Sequence, residues 1–488
     1  METHIETSRP RAATSQVQGI AVSADNATVA PALPRFHAEP ERVLLAPAEV
    51  FAAGMRNHHI ANTAYPIAHR RTIWGYRQPR AQHAGLLADS LAAQGPMSLY
   101  AHIPFCENRC AWCEYTVLER HDAALEQRYC EALLRELETA AQRLGLTGKL
   151  LAGFDIGGGT PSLVDPVHIR ELVERVHALF RLAPGYGISI ETTPRIAADH
   201  PERLSAYRRA GIDRISMGLQ MVNAHLLSRY GRQGGEALHA RAADEIRRAG
   251  FRRFNVDLMY GFAGQTTQDF GSTLRHALSL GADVVTLYRM RYKGTRVAPE
   301  AAQVQLSRVV ELAELAHELL EEAGYRANPG KNTFSRHVGE AGTSAYLTER
   351  VVRSTPYLGI GLGAQTFSNN VLAYNHGAAS KRLERYLQAV GVHELPIQDL
   401  YHLPLGEGMA KMIAVSFYFG EINLPAVERR FGVTLHSRFA AELDFLSERR
   451  LMEQHGPCLR LTRGGARCMP GVVSLFYSDA VKAHLLSL

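Results

Sequence analysis

Three cysteines stand within eight residues, Cys106, Cys110 and Cys113, in the run Tyr100-Ala-His102-Ile-Pro104-Phe-Cys106-Glu-Asn-Arg-Cys110-Ala-Trp112-Cys113. Their spacing is C-x3-C-x2-C. Three thiolates on one tight loop suit three irons of a cubane [4Fe–4S] cluster and leave the fourth iron without a protein ligand. Catalysis uses an open metal position, whereas a purely structural site closes its metal off. Two other readings compete. A zinc knuckle wants a fourth Cys or His at short range, and His102, four residues before Cys106, is the one close candidate. A Cys110–Cys113 redox pair leaves Cys106 without a role. The remaining cysteines, Cys130, Cys458 and Cys468, are scattered, so the six do not form a disulfide framework.

Further candidates follow along the chain. Gly157-Gly158-Gly159-Thr160-Pro161-Ser162 is a glycine-rich turn that lets backbone approach a ligand, and it lacks the Lys of a phosphate loop. Glu191 ends an extended run, ISIETT, where a carboxylate can bond a cationic or hydroxyl-bearing ligand or simply meet solvent. Gln220 ends SMGLQ, and Arg232 lies twelve residues on. Asp257, inside FNVDLMYG, is flanked by apolar residues and is costly to bury without a partner. His102 serves equally well as a core hydrogen-bonding residue or a functional one, and Trp112 as core packing or as the border of a bound base. His58, His59 and His69 lack a trusted metal spacing and read as a surface arm.

These residues need a scaffold, and the pattern around them supplies one. Short β-type runs at 98–103, 150–156, 187–193, 214–220, 252–261 and 283–290 alternate with amphipathic stretches at about 120–145, 165–180, 199–210, 236–249, 267–280 and 299–324. Six strand–helix rounds imply a parallel sheet. Six falls short of the eight that close a barrel, so the expected fold is α/β, an open, partial (β/α)6 TIM-like barrel, with functional residues at the C-terminal strand ends. Residues 1–40, rich in Ala, Ser, Thr and Pro, read as a disordered leader. Residues 41–97 read as an ordered arm or lid, 98–330 as the barrel, and 331–488 as a mainly helical, winged-helix-like cap in which CLRLTRGGARCM forms a small hairpin.

Composition narrows the function classes. The net charge of +6 comes from scattered arginines rather than a basic tract, so nucleic-acid binding is not expected, while a polyanionic substrate is compatible. No run of eighteen apolar residues is present for a membrane span. The first residues, METHIETSRPRAATSQ, lack the apolar run of a secretory signal, and a cytoplasmic location is expected.

The cysteine spacing with an aromatic residue before the last Cys resembles the radical S-adenosylmethionine (SAM) superfamily. The longer string YAHIPFC resembles one branch of it, the oxygen-independent coproporphyrinogen III oxidase-like enzymes. The resemblance runs from about 98 to 290 and more weakly to about 475. It implies a radical SAM core with Cys106, Cys110 and Cys113 on a [4Fe–4S] cluster. It also implies SAM contacts from Tyr100, Trp112, Gly158, Gly159, Thr160, Glu191, Gln220, Arg232 and Asp257. Gln220 and Asp257 would hold the ribose, Arg232 the carboxylate and the glycine segment the amine. A second SAM beside the first and a flavodoxin- or ferredoxin-type electron donor are further implications. The branch's decarboxylase has a Cys where this chain has Tyr115, and its haem chaperone carries an H-N-x-x-Y-W segment absent from SRHVGEAGTSAYL. By elimination the expected reaction is C-methyl transfer or cyclopropanation of an aromatic or tetrapyrrole-like substrate. Porphyrinogen decarboxylation and haem trafficking are the alternatives. A DNA-binding iron–sulfur regulator ranks last, because it leaves Glu191, Gln220, Arg232 and Asp257 unexplained.

Overall fold

The computed structural model describes residues 35–92, 95–119 and 122–488, so most of the expected leader lies outside the described residues. Six strands form where the alternation predicts them: β1 (Met97–Ile103), β2 (Leu150–Gly158), β3 (Ile188–Thr192), β4 (Arg214–Gln220), β5 (Arg253–Tyr260) and β6 (Val284–Arg289). They lie side by side in the order β6-β5-β4-β3-β2-β1, all parallel. Both faces are covered, which is why β1 reads as an apolar run, MSLYAHI, and is buried almost throughout.

The helices between them begin at side-chain caps. Asp122 accepts from the Leu125 amide at the start of α1 (Ala123–Arg143), and Asp165 from the Val167 amide at α2 (Pro166–Leu179). Thr266 and Asp269 form a reciprocal capping box at α3 (Thr267–Ser279). Leucines, valines and isoleucines from strands and helices make one core around the sheet, in which Leu99, Leu137, Phe154, Ile190 and Leu274 are fully buried.

The composition change near 330 does not coincide with the end of the sheet. After α4 (Leu306–Glu322), β7 (Thr333–Ser335) adds antiparallel to β6, and β8 (Tyr357–Ile360) adds parallel to β1 at the opposite edge. The antiparallel strands β9 (Gln365–Phe367), β10 (Val371–Asn375) and β11 (Ile397–His402) follow. Helices then dominate, beginning with α5 (Leu405–Ser416). The expected hairpin falls slightly earlier than CLRLTRGGARCM: Met452–His455 pairs with Cys458–Leu461, and Arg463–Arg467 is helical because Thr462 caps it.

A second core joins distant parts of the chain. Val50, Tyr65, Ile67 and Ile73 of the arm pack with Ile413, Phe417, Phe439 and Phe476. Among the described residues no helix is long and apolar enough to cross a membrane.

Candidate active site

The cysteine loop leaves β1 at Pro104 and is pinned where it turns. Phe105 and Cys106 pair with Leu118 and Glu119, the Cys113 amide donates to the Cys110 carbonyl at 3.0 Å, and the Ala111 amide donates to the Tyr230 carbonyl at 3.0 Å. Trp112 anchors the loop by packing edge-on against Tyr230 and Phe262, with ring centroids 5.5 Å apart in both cases. The three thiols are free, half-buried and open to one cavity of about 1250 Å³.

Among the described residues no three His, Cys, Asp or Glu side chains converge as ligands of a single metal ion. That argues against the zinc knuckle on geometry. Three thiols on one short loop, all opening to one cavity, match the donor set a cubane cluster takes. Burial pushes the Cys106 thiol up to about 12 and raises Cys113 as well. The Thr160 hydroxyl and, more weakly, the cationic Arg232 oppose that trend at Cys106, as Arg109 and Lys381 do at Cys113, and Arg232 Nη1 lies 3.7 Å from Cys110 Sγ.

The glycine turn has a steric explanation. A Cβ on Gly158, which sits at φ +121°, would come within 2.6 Å of the His102 ring, and one on Gly159 within 2.6 Å of the Phe105 carbonyl oxygen. Only glycine lets this segment lie on the cysteine loop. There the Gly159 amide donates to Ile103 O and the Thr160 amide to Phe105 O, each at 2.8 Å. Thr160 Oγ1 is 3.6 Å from Cys106 Sγ. His102 resolves to a structural role. Its Nε2–H donates to Thr116 O at 2.8 Å, which leaves Nδ1 to accept from Tyr100 OH at 3.3 Å, and burial lowers it to about 4.

Carboxyls line the adjacent strand ends. Glu191 Oε2 accepts from the Gly158 amide at 3.3 Å. Its side chain is exposed to the cavity yet walled off from bulk water, and burial with Asp257 nearby raises it to about 8. Asp257 accepts from Ser216 Oγ at 2.6 Å and Asn255 Nδ2 at 2.8 Å, and Asn255 Oδ1 in turn accepts from Thr286 Oγ1 at 2.8 Å. That network meets the cost of burying Asp257, and burial still raises it. Gln220 closes β4 at φ +71°, a left-handed conformation that is strained for a non-glycine residue, at a bulge against β5. Arg232 donates to the Gly218 carbonyl beside it.

All twelve residues expected at the site line this one cavity. Sequence reasoning missed Asp155 on β2, raised to about 7 by burial, with Oδ2 bonded to Ser344 Oγ at 2.7 Å and Oδ1 lacking a partner. Its signal was the one noted for Asp257, an acid inside an apolar strand. The arm was also misjudged. His58, His59 and His69 line the cavity instead of facing solvent, because the second core holds the arm over it. His58 Nδ1 accepts from Arg289 at 2.6 Å, and His69 Nε2 meets Tyr374 OH at 2.9 Å.

A family model for the radical SAM superfamily matches residues 100–277. The haem chaperone HemW of Haemophilus influenzae is 30% identical over 273 residues, covering 55% of this chain and 70% of that protein. The chain belongs to the radical SAM superfamily, in its coproporphyrinogen III oxidase-like branch. Within that branch, an oxygen-independent coproporphyrinogen III oxidase of Cereibacter sphaeroides is 28% identical over 357 residues, covering 69% of this chain and 76% of its own. The solved coproporphyrinogen III oxidase (HemN) of Escherichia coli shares the radical SAM fold, with a TM-score of 0.69 and 22% identity over 85% of this chain and 96% of that one. Radical SAM membership brings a [4Fe–4S] cluster and SAM as cofactors.

Proposed function

We propose that Cys106, Cys110 and Cys113 hold the cluster, that the strand ends hold SAM beside it, and that the substrate is a tetrapyrrole-like polycarboxylate undergoing oxidative decarboxylation. Held by Cys106, Cys110 and Cys113, the cluster would supply the one-electron reduction of SAM on which radical hydrogen abstraction depends. The residues do the rest. The glycine-turn backbone and Glu191 receive the methionyl amine, Arg232 the carboxylate, and Gln220 and Asp257 the ribose hydroxyls. Tyr100 and Trp112 border them. Burial, with Asp257 nearby in the case of Glu191, raises the proton affinity of Asp155, Glu191 and Asp257, and a cationic ligand would favour their ionised forms.

The observation that carries the substrate class is the cavity itself. At about 1250 Å³ it exceeds the usual span of about 300–1,000 Å³ for one drug-sized ligand. Beyond the strand ends it is walled by Tyr115, Tyr288, Tyr374, Arg291 and Lys293. Aromatic faces and cations suit a broad conjugated ring bearing carboxylates. Tyr115, exposed into the cavity where the decarboxylases carry Cys, favours a second reading, C-methyl transfer or cyclopropanation on the same substrate class.

The test is anaerobic reconstitution with iron and sulfide, then dithionite, SAM and coproporphyrinogen III. 5′-Deoxyadenosine that disappears in Cys106→Ala, with substrate losing carbon dioxide, supports the first reading. Substrate gaining label from methyl-labelled SAM supports the second. Stoichiometric haem binding with SAM never cleaved would move the function to haem trafficking.

A further inference from the structure

Two cations in the cavity wall carried by residues beyond 340 have no salt-bridge partner among the described residues; Lys411 is buried, and Arg350, half-buried, has Asp155 within electrostatic reach. Lys411 sits in the middle of α5, a helix buried along its whole length, and is itself 4% exposed. Its Nζ donates to the Tyr65 carbonyl of the arm at 2.5 Å. Arg350 projects from the turn Thr348–Val352, bonds Tyr346 OH at 3.2 Å and lies over the Tyr357 ring, 4.4 Å from its centroid. Among the described residues neither is paired with a carboxylate. Glu407, one turn before Lys411, is engaged by Tyr65 OH and Ser478. A third cation nearby, Arg291, is paired with Glu114. A buried ammonium ordinarily takes a partner, as Lys482 takes Glu442 elsewhere in this chain. Arg350 and Lys411 both face the cavity, and each raises the cost of charging the other.

We propose that Arg350 and Lys411 form a clamp for one carboxylate of the substrate, on the cavity wall carried by residues beyond 340. The inference rests on the polycarboxylate reading above and adds to it the residues that fix one edge of the substrate. Rings mark the path between the strand ends and the clamp. Tyr100, beside the glycine turn, lies 6.0 Å centroid to centroid from Tyr346, and the Arg350 guanidinium is 5.8 Å from that same ring. A flat macrocycle laid along these rings would have one edge near the strand ends and a peripheral carboxylate at the clamp. With the carboxylate in place both cations gain a direct ion pair, which neither makes within the described residues.

The experiment is fluorescence titration of the reconstituted full chain with coproporphyrin III and with its tetramethyl ester, using wild type, Arg350→Gln and Lys411→Met. The free acid should bind wild type more tightly than the ester does. Each substitution should weaken the acid by about tenfold or more and leave the ester unchanged. If acid and ester bind wild type equally, or the variants bind the acid as wild type does, the clamp is overturned while the tetrapyrrole reading stands. If neither porphyrin binds wild type, the tetrapyrrole reading falls, and calorimetry with benzenehexacarboxylate decides the clamp. Binding that Arg350→Gln abolishes keeps it; no binding, or binding that Arg350→Gln leaves intact, overturns it.

Discussion

Along one wall of the cavity, at the strand ends, stand Asp155, Glu191 and Asp257, three buried carboxyls whose proton affinity is raised. In the wall carried by segments beyond the barrel stand Lys411, buried, and Arg350, half-buried; among the described residues neither forms a salt bridge, and Arg350 lies within electrostatic reach of Asp155. Each wall is costly alone, and each is relieved by a ligand of opposite sign. SAM, with its sulfonium and ammonium, suits the first; a polycarboxylate suits the second. On the proposed function, the difference assigns the cavity two addresses, one for a cationic cofactor and one for an anionic substrate.

The most severe way to break this division is Glu191→Lys. SAM affinity, measured by anaerobic equilibrium dialysis, should fall by about 100-fold, while coproporphyrin III affinity moves by less than about threefold. An equal fall in both would mean the walls act as one site.

Proton linkage sharpens the comparison next. Glu191, at about 8, and Asp155, at about 7, are protonated below those values in the free protein, and a cationic ligand favours their ionised forms. SAM binding therefore releases protons and tightens as pH rises through 7 to 8. Lys411 is lowered to about 7 by burial and by Arg350 and Arg291; it also faces His69, and it loses its charge above that value. An anion favours its protonated form, so porphyrin binding weakens as pH rises above 7. Each slope can reach about tenfold per pH unit for one linked proton. Slopes of the same sign would refute the assignment of charges to walls.

A milder change is Asp257→Asn, which keeps the shape but removes a charged acceptor. SAM affinity should drop about tenfold, with porphyrin binding unaffected, since a hydrogen bond to a charged group contributes about 1.5–3 kcal/mol. The smallest effect belongs to Tyr477→Phe, outside both walls. It removes the bond from Tyr477 OH to the Asn62 carbonyl at 2.6 Å. Thermal unfolding should show a loss of about 1 kcal/mol, with both affinities unchanged.

The first wall was legible in the sequence and the second was not, for a physical reason. Strand ends in a parallel sheet converge on one edge, so residues that close six consecutive apolar runs must meet. Glu191, Gln220 and Asp257 could therefore be gathered without coordinates. Asp155 carries the same sequence signal as Asp257, an acid within an apolar run, in LLAGFDIGG just before the glycine turn. The other wall is built by tertiary contact between the arm and residues beyond 340, and no periodicity reports such contacts. A lone lysine in GEGMAKMIAVSFYFG was its one sequence trace. The strands β8 to β11 were missed in the same way. They are short, and they continue a sheet whose strand–helix rhythm had already stopped.

The second core also sets an order of assembly. Tyr65 bonds Ser478, 413 positions away, so the arm cannot be seated until Ser478 has been synthesised. Contacts of such long sequence separation form late and slowly. On the ribosome the barrel and its cysteine loop would be complete while the far side of the cavity was still missing. Cluster insertion has its widest access in that interval, and oxygen has the same access. A chain truncated before α5 would keep its thiols and have no wall to shelter them.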